Sequence, residues 1–120
     1  KFTDMGKNMY NLLSKAGSLR EDLKVFFFAH EENTGDALNP HRKFKTIGKL
    51  VDNVIGVEGL ATYVFFTDVR EGEDGKMQYK FATQTDGTTT AKTPMGCFED
   101  MYIDNDLALI VDAIDDYNND

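Results

Sequence analysis

A chain of 120 residues offers one domain's worth of sequence, and 41% hydrophobic residues with nine Phe and five Tyr are enough for a sizeable core. The formal net charge of −8 argues against a whole-surface affinity for nucleic acid, and no run of about 18 apolar residues is present to span a membrane. The opening Lys1-Phe2-Thr3-Asp4 lacks the apolar stretch of a secretory signal, and the single Cys97 rules out an internal disulfide, so a reducing, cytoplasmic setting is expected. Charge is uneven along the chain. Residues 99–120 hold eight acidic side chains and no Lys or Arg, whereas 41–49 hold Arg42, Lys43, Lys45 and Lys49 and no acid.

The first predicted element is a helix. Phe2, Met5, Met9, Leu12, Leu13 and Ala16 recur at spacings of three and four, which makes one apolar stripe for core packing. Thr3 or Asp4 suits its N-cap, and Gly17 its end. Leu23 to Ala29 is short, apolar on both faces and rich in β formers. It predicts a strand covered on both sides, ending at His30-Glu31-Glu32. Turn chemistry at Asn33, Gly35, Asp36 and Asn39-Pro40 predicts a mobile loop over 33–46. Ile47, Leu50, Val51, Val54 and Ile55 predict a short helix closed by Gly56.

Ala61 to Arg70 and Met77 to Thr83, joined by Glu71-Gly72-Glu73-Asp74-Gly75, predict a β-hairpin. A Thr/Gly-rich loop follows over 84–97. Asn105 or Asp106 should cap a last helix with Leu107, Ile110, Val111, Ile114 and Tyr117 on one face; the acids near its end oppose the helix dipole and predict fraying. The order α, β, α, β-hairpin, α predicts α/β packing over residues 1–120 as a single domain.

No Gly-x4-Gly-Lys-Ser/Thr phosphate loop occurs, and the two histidines and one cysteine make no metal or nucleophile motif. Three features stand out. His30 and Glu31 end an apolar strand, where open α/β sheets place ligands, though a solvated strand end reads the same. Arg42, Lys43, Lys45 and Lys49 could meet nucleic-acid phosphates, or form a solvated face. Lys92 sits before Pro94 in the Thr-rich loop, where a lysine could reach a neighbouring subunit's phosphate; a surface lysine with no such role looks the same.

The order and spacing of several stretches carry a resemblance. These are Lys1 to Tyr10, Val25-Phe-Phe-Phe-Ala-His-Glu-Glu32, Lys45 to Asn53, Ala61 to Arg70, Thr90-Ala-Lys-Thr-Pro-Met-Gly-Cys-Phe98 and Ile103 to Asp106. Together they resemble the C-terminal half of a RecA-superfamily P-loop ATPase core, in particular the phage ATP-binding proteins of DNA recombination and single-strand annealing. The resemblance implies a partial RecA-like core, with a mixed sheet of about three to four strands and helices on its faces. It implies His30 as a γ-phosphate sensor with Glu31 at the same site. It implies contact with single-stranded DNA by the 33–46 loop through Arg42, Lys43 and Lys45, with Lys49 close by, and Lys92 reaching ATP bound by the adjacent subunit of a homo-oligomer.

ATP and Mg would be held by a Walker A loop and Walker B aspartate that precede these stretches in the family. Neither is found here, since Asp4 follows no apolar strand. The parent is expected to be an ATPase in the host cytoplasm, and this chain alone is expected neither to bind Mg-ATP tightly nor to hydrolyse it. A different reading is a non-enzymatic acidic α/β module that binds a protein partner; a third is a helicase-type relative.

Overall fold

Helical periodicity at the start of the chain is realised as α1, Phe2–Ala16, in the computed structural model, which describes residues 2–45 and 57–119. Thr3 and Asp4 lie inside the first turn rather than capping it, and Asp4 there suits the positive helix end. Ser18 closes the C-terminus: its N–H (3.0 Å) and its hydroxyl (2.9 Å) both donate to the Lys15 carbonyl. Leu13 and Ala16 are half-buried, but Leu12 of the expected core stripe is exposed. The side chains of Phe2, Met5 and Met9, and the helix expected over 47–55, lie outside the described residues. The chain divides into two compact units, Lys1–Ala61 and Thr62–Asp120.

In the first unit, a 3-10 turn, Val57–Leu60, lies against α1. The strand expected over Leu23 to Ala29 does not form. These residues adopt neither helix nor strand, and Leu23, Val25, Phe26, Phe27 and Phe28 are exposed. A doubly covered strand needs a hydrogen-bonded neighbour as well as β-forming side chains; among the described residues, no strand pairs with this segment. The sheet of this unit is instead a two-stranded antiparallel hairpin, β1 (Glu31–Asn33) and β2 (Arg42–Phe44), paired Glu31 to Phe44, Glu32 to Lys43 and Asn33 to Arg42. Asn33 and Arg42 to Phe44, expected in a mobile loop, are therefore paired strand.

The second unit is built on a three-stranded antiparallel sheet of β3 (Phe66–Glu71), β4 (Met77–Ala82) and β5 (Tyr102–Asp104), in that order. The expected hairpin is present. Gly72 N–H donates to the Lys76 carbonyl at 2.8 Å, Gly75 N–H to the Gly72 carbonyl at 3.0 Å, and Gly75 takes φ +79°, where a side chain would be strained. Register aligns Phe66 with Ala82 and Ala82 with Tyr102. Buried Phe66, Ala82 and Ala91 form a core with Val64 and Tyr102 against them. A second aromatic group centres on Phe65, which stacks on Tyr63 at 6.3 Å, tilts on Phe81 at 6.1 Å and meets Phe98 edge-on at 5.6 Å. Buried Thr83 is satisfied, its hydroxyl donating to the Asp100 carbonyl at 2.8 Å.

The last helix, α2, spans Leu107–Asn118. Asp106 is its N-cap: extended backbone lets Oδ1 accept from Ala108 N–H at 2.9 Å. Ile110 is 1% exposed and Val111 and Ile114 are half-buried, while Leu107 and Tyr117 of the expected face stay exposed. At its C-terminus the Asn119 N–H donates to the Asp115 carbonyl at 3.0 Å. The architecture is thus mixed α/β, with two small antiparallel sheets. No helix among the described residues is long and apolar enough to cross a membrane.

Two substitutions test this packing. Asp106→Ala should cost about 1 kcal/mol, the usual value of an N-cap. Ile110→Ala should cost about 2–5 kcal/mol through reduced burial and the cavity left behind. Urea denaturation followed by circular dichroism reads both; equal losses would contradict the assignment of one to a cap and the other to the core.

Candidate functional site

The β1–β2 hairpin gathers most of the residues singled out in the sequence. Its tip is organised by two side-chain carbonyl or carboxylate oxygens. Asn33 Oδ1 accepts from the N–H groups of Gly35 (2.9 Å) and His41 (3.0 Å), and Asp36 Oδ1 accepts from those of Leu38 (3.0 Å) and Asn39 (2.7 Å). Gly35 is required by space, since a Cβ there would collide with the backbone oxygen of Asn39. The base is closed by Lys45 N–H, which donates to the His30 carbonyl at 2.9 Å. His30, Glu31, Arg42, Lys43 and Lys45 therefore share one short ribbon.

The ribbon's acids and bases face each other. Arg42 Nη1 lies 3.2 Å from each carboxylate oxygen of Glu31, and Lys43 Nζ lies 3.9 Å from Glu32 on the other face. Such partly exposed pairs contribute about 0–1 kcal/mol each. Glu31, expected at a nucleotide site, is in the structure a partner of Arg42. Lys49 lies outside the described residues.

Lys92 belongs to the second unit. Its N–H donates to the Val64 carbonyl and its carbonyl accepts from Val64 N–H, both at 2.9 Å. Ala91 beside it is buried and the Lys92 side chain is exposed. A turn from Cys97 N–H to the Pro94 carbonyl (3.1 Å) follows. The backbone that presents Lys92 is thus held at two points.

One polar constellation went unmarked in the sequence. Asp68, Lys80 and Asp104 stand in cross-strand register, with Lys80 Nζ 2.6 Å from Asp104 Oδ1. The Arg70 Nε–H donates to Asp68, and its guanidinium lies 3.8 Å over the Tyr102 ring. The Tyr102 hydroxyl donates to Asp86 at 3.2 Å. Hydrogen bonds from the Thr88 hydroxyl and N–H hold the Asp86 carboxyl below its ordinary range. The signal available was period-two spacing, Asp68/Arg70 against Gln78/Lys80. Each named charge has an opposite charge or ring beside it, so the cluster ties the 84–91 loop to the sheet. Among the described residues no group of three or more His, Cys, Asp or Glu could hold a metal ion.

Tyr63 and Cys97 adjoin each other. Burial, helped by Cys97 and then Tyr117, pushes Tyr63 up to about 12, and burial also raises Cys97, whose Sγ–H donates weakly to the Ala113 carbonyl at 3.8 Å. Cys97 is therefore a protonated packing residue near neutral pH. Because the folded form holds Tyr63 protonated beyond its ordinary 10.0, stability present below pH 10 is lost as pH rises toward about 12. Tyr63→Phe should flatten this alkaline loss, with a residual slope from Cys97. Denaturation midpoints across that range measure it, and an unchanged slope would refute the assignment. No protein-family model, curated protein or solved structure matches the chain.

Proposed function

We propose that the chain is the single-strand-contacting part of a phage RecA-like ATP-binding protein, which acts in DNA recombination or single-strand annealing as a homo-oligomer with ATP at its subunit interfaces. The observation that carries the reading is the hairpin closed by His30 and Lys45, which puts His30, the residue just before β1, beside Arg42, Lys43 and Lys45, although the strand expected to end at His30 does not form. A sensor on the same ribbon as a DNA contact would couple phosphate state to strand binding. Lys92, exposed on a backbone pinned to Val64, suits a residue that reaches across to a neighbour's nucleotide. The phosphate cradle and its metal carboxylate would come from elsewhere in a longer polypeptide in the host cytoplasm.

A second reading, a non-enzymatic module that binds a protein partner, draws on α2, whose Asp112 and Asp116 are exposed and which has no basic residue in its last turn.

Binding of a labelled oligothymidylate to the 120-residue chain, titrated with salt, separates the two. The triple change of Arg42, Lys43 and Lys45 to Ala should weaken binding. It should also shrink the slope of log affinity against log salt by roughly 0.7 for each phosphate no longer neutralised. Glu31→Gln should tighten binding, because Arg42 loses its competing carboxylate. Absence of binding at low salt would overturn the proposal. In the longer parent, Lys92→Ala should lower ATP turnover without changing thermal unfolding; unchanged turnover would remove the trans role.

A further inference from the structure

Among the described residues of the first unit, the segment Lys24 to Ala29 exposes a continuous run of large apolar side chains. Three consecutive phenylalanines are exposed, Phe26 at 37%, Phe27 at 45% and Phe28 at 81%. Each ring carries a large apolar surface whose burial would be stabilising. A contiguous exposed apolar run of this kind marks a contact surface. What the surface contacts is indicated by its neighbours in the fold. Phe28 is two residues from His30, and His30 is joined through its carbonyl to Lys45. Arg42 and Lys43 follow on β2, each with a carboxylate of β1 beside it that a phosphate would have to replace, and Lys45 adds a third cation, in a chain whose remaining charge is strongly acidic.

We infer that Phe26, Phe27 and Phe28 form a base-stacking platform for single-stranded nucleic acid, with the adjoining β2 strand and Lys45 following its phosphates. This rests on the single-strand reading above and adds what the bases contact. Rings next to cations are the two components such a site needs: cations track the backbone, and rings take base faces without regard to sequence. An apolar protein surface would cover the rings and make no use of the Arg, Lys and His at their end. Duplex DNA would satisfy the cations and leave the rings bare, because its bases are already stacked. The site is therefore selective for single strands and tolerant of sequence.

The test uses the 120-residue chain and three probes: oligothymidylate, an abasic strand of the same length, and a duplex. Phe28→Leu and the Phe26→Leu/Phe27→Leu pair keep apolar bulk while removing the π face, and because these side chains are exposed, folding is expected to survive. Each should weaken oligothymidylate binding about fivefold or more, the scale of one stacked base, with the salt slope unchanged. Phe28→Tyr should keep wild-type affinity. The abasic strand and the duplex should both bind more weakly than oligothymidylate and respond to none of the Phe changes. If wild-type chain binds no strand, the single-strand reading itself fails and the platform with it. If it binds oligothymidylate but the leucine variants bind equally well, or the abasic strand or the duplex binds as tightly, the platform alone is wrong. Leucine variants that change self-association in sedimentation while leaving DNA affinity intact would overturn it too, and would assign the segment to pairing with a second copy.

Discussion

Antiparallel register is the constraint on which the second unit depends. Once Phe66 pairs with Ala82, and Ala82 with Tyr102, the period of two along each strand assigns every other side chain to a face. One face then carries the Phe66 core followed by the Asp68, Lys80, Asp104 row and Arg70; the other takes Phe81 with Phe65 against it. A slip of one residue would put Lys80 on the Phe65 face and take Phe81 off it. The glycine-requiring turn at Gly75 and the charge row penalise the same slip, so local turn chemistry and cross-strand electrostatics agree with the apolar pattern.

The first unit lacks such agreement. Its hairpin is specified locally, by Asn33 and Asp36 capturing backbone N–H groups at the tip and by two weak acid–base pairs across the strands. A two-stranded ribbon has little apolar area to bury and is marginal by itself. Its value is positional: it sets cations and a histidine at fixed spacing on a surface. On the proposed reading, such a ribbon would exchange a carboxylate for a phosphate, and the exposed ion pair lost would contribute little.

On the proposed single-strand reading, the exposed phenylalanines and the cations of the ribbon would be what lets an acidic chain meet a polyanion. Long-range charge opposes the encounter, so affinity must come from contacts at short range. Screening limits the repulsion to about 8 Å at physiological salt, while stacking is indifferent to net charge. Cations and rings at the strand would then have to outweigh the excess of aspartate carried by the other end of the sequence.

Local signals were legible in the sequence where one segment could satisfy itself. The apolar period of α1, the cap at Asp106, the Gly75 turn and the alternation of Met77 to Ala82 each depend on neighbours a few residues away, and each element formed within a few residues of its expected limits. The candidate site was legible as residue types: His30, Arg42, Lys43, Lys45 and Lys92 were all visible. That the first four share one ribbon was not, because it depends on Asn33 and Asp36 folding the expected loop back on itself. The segment Leu23 to Ala29 shows the limit most clearly. Its residues have every intrinsic reason to be a strand, but a strand's hydrogen bonds belong to two segments at once. Tertiary structure decided the outcome, since no described strand lies beside it to share them. It decided by register, too, that Arg70 lies over Tyr102 and that Asp68, Lys80 and Asp104 stand in one row.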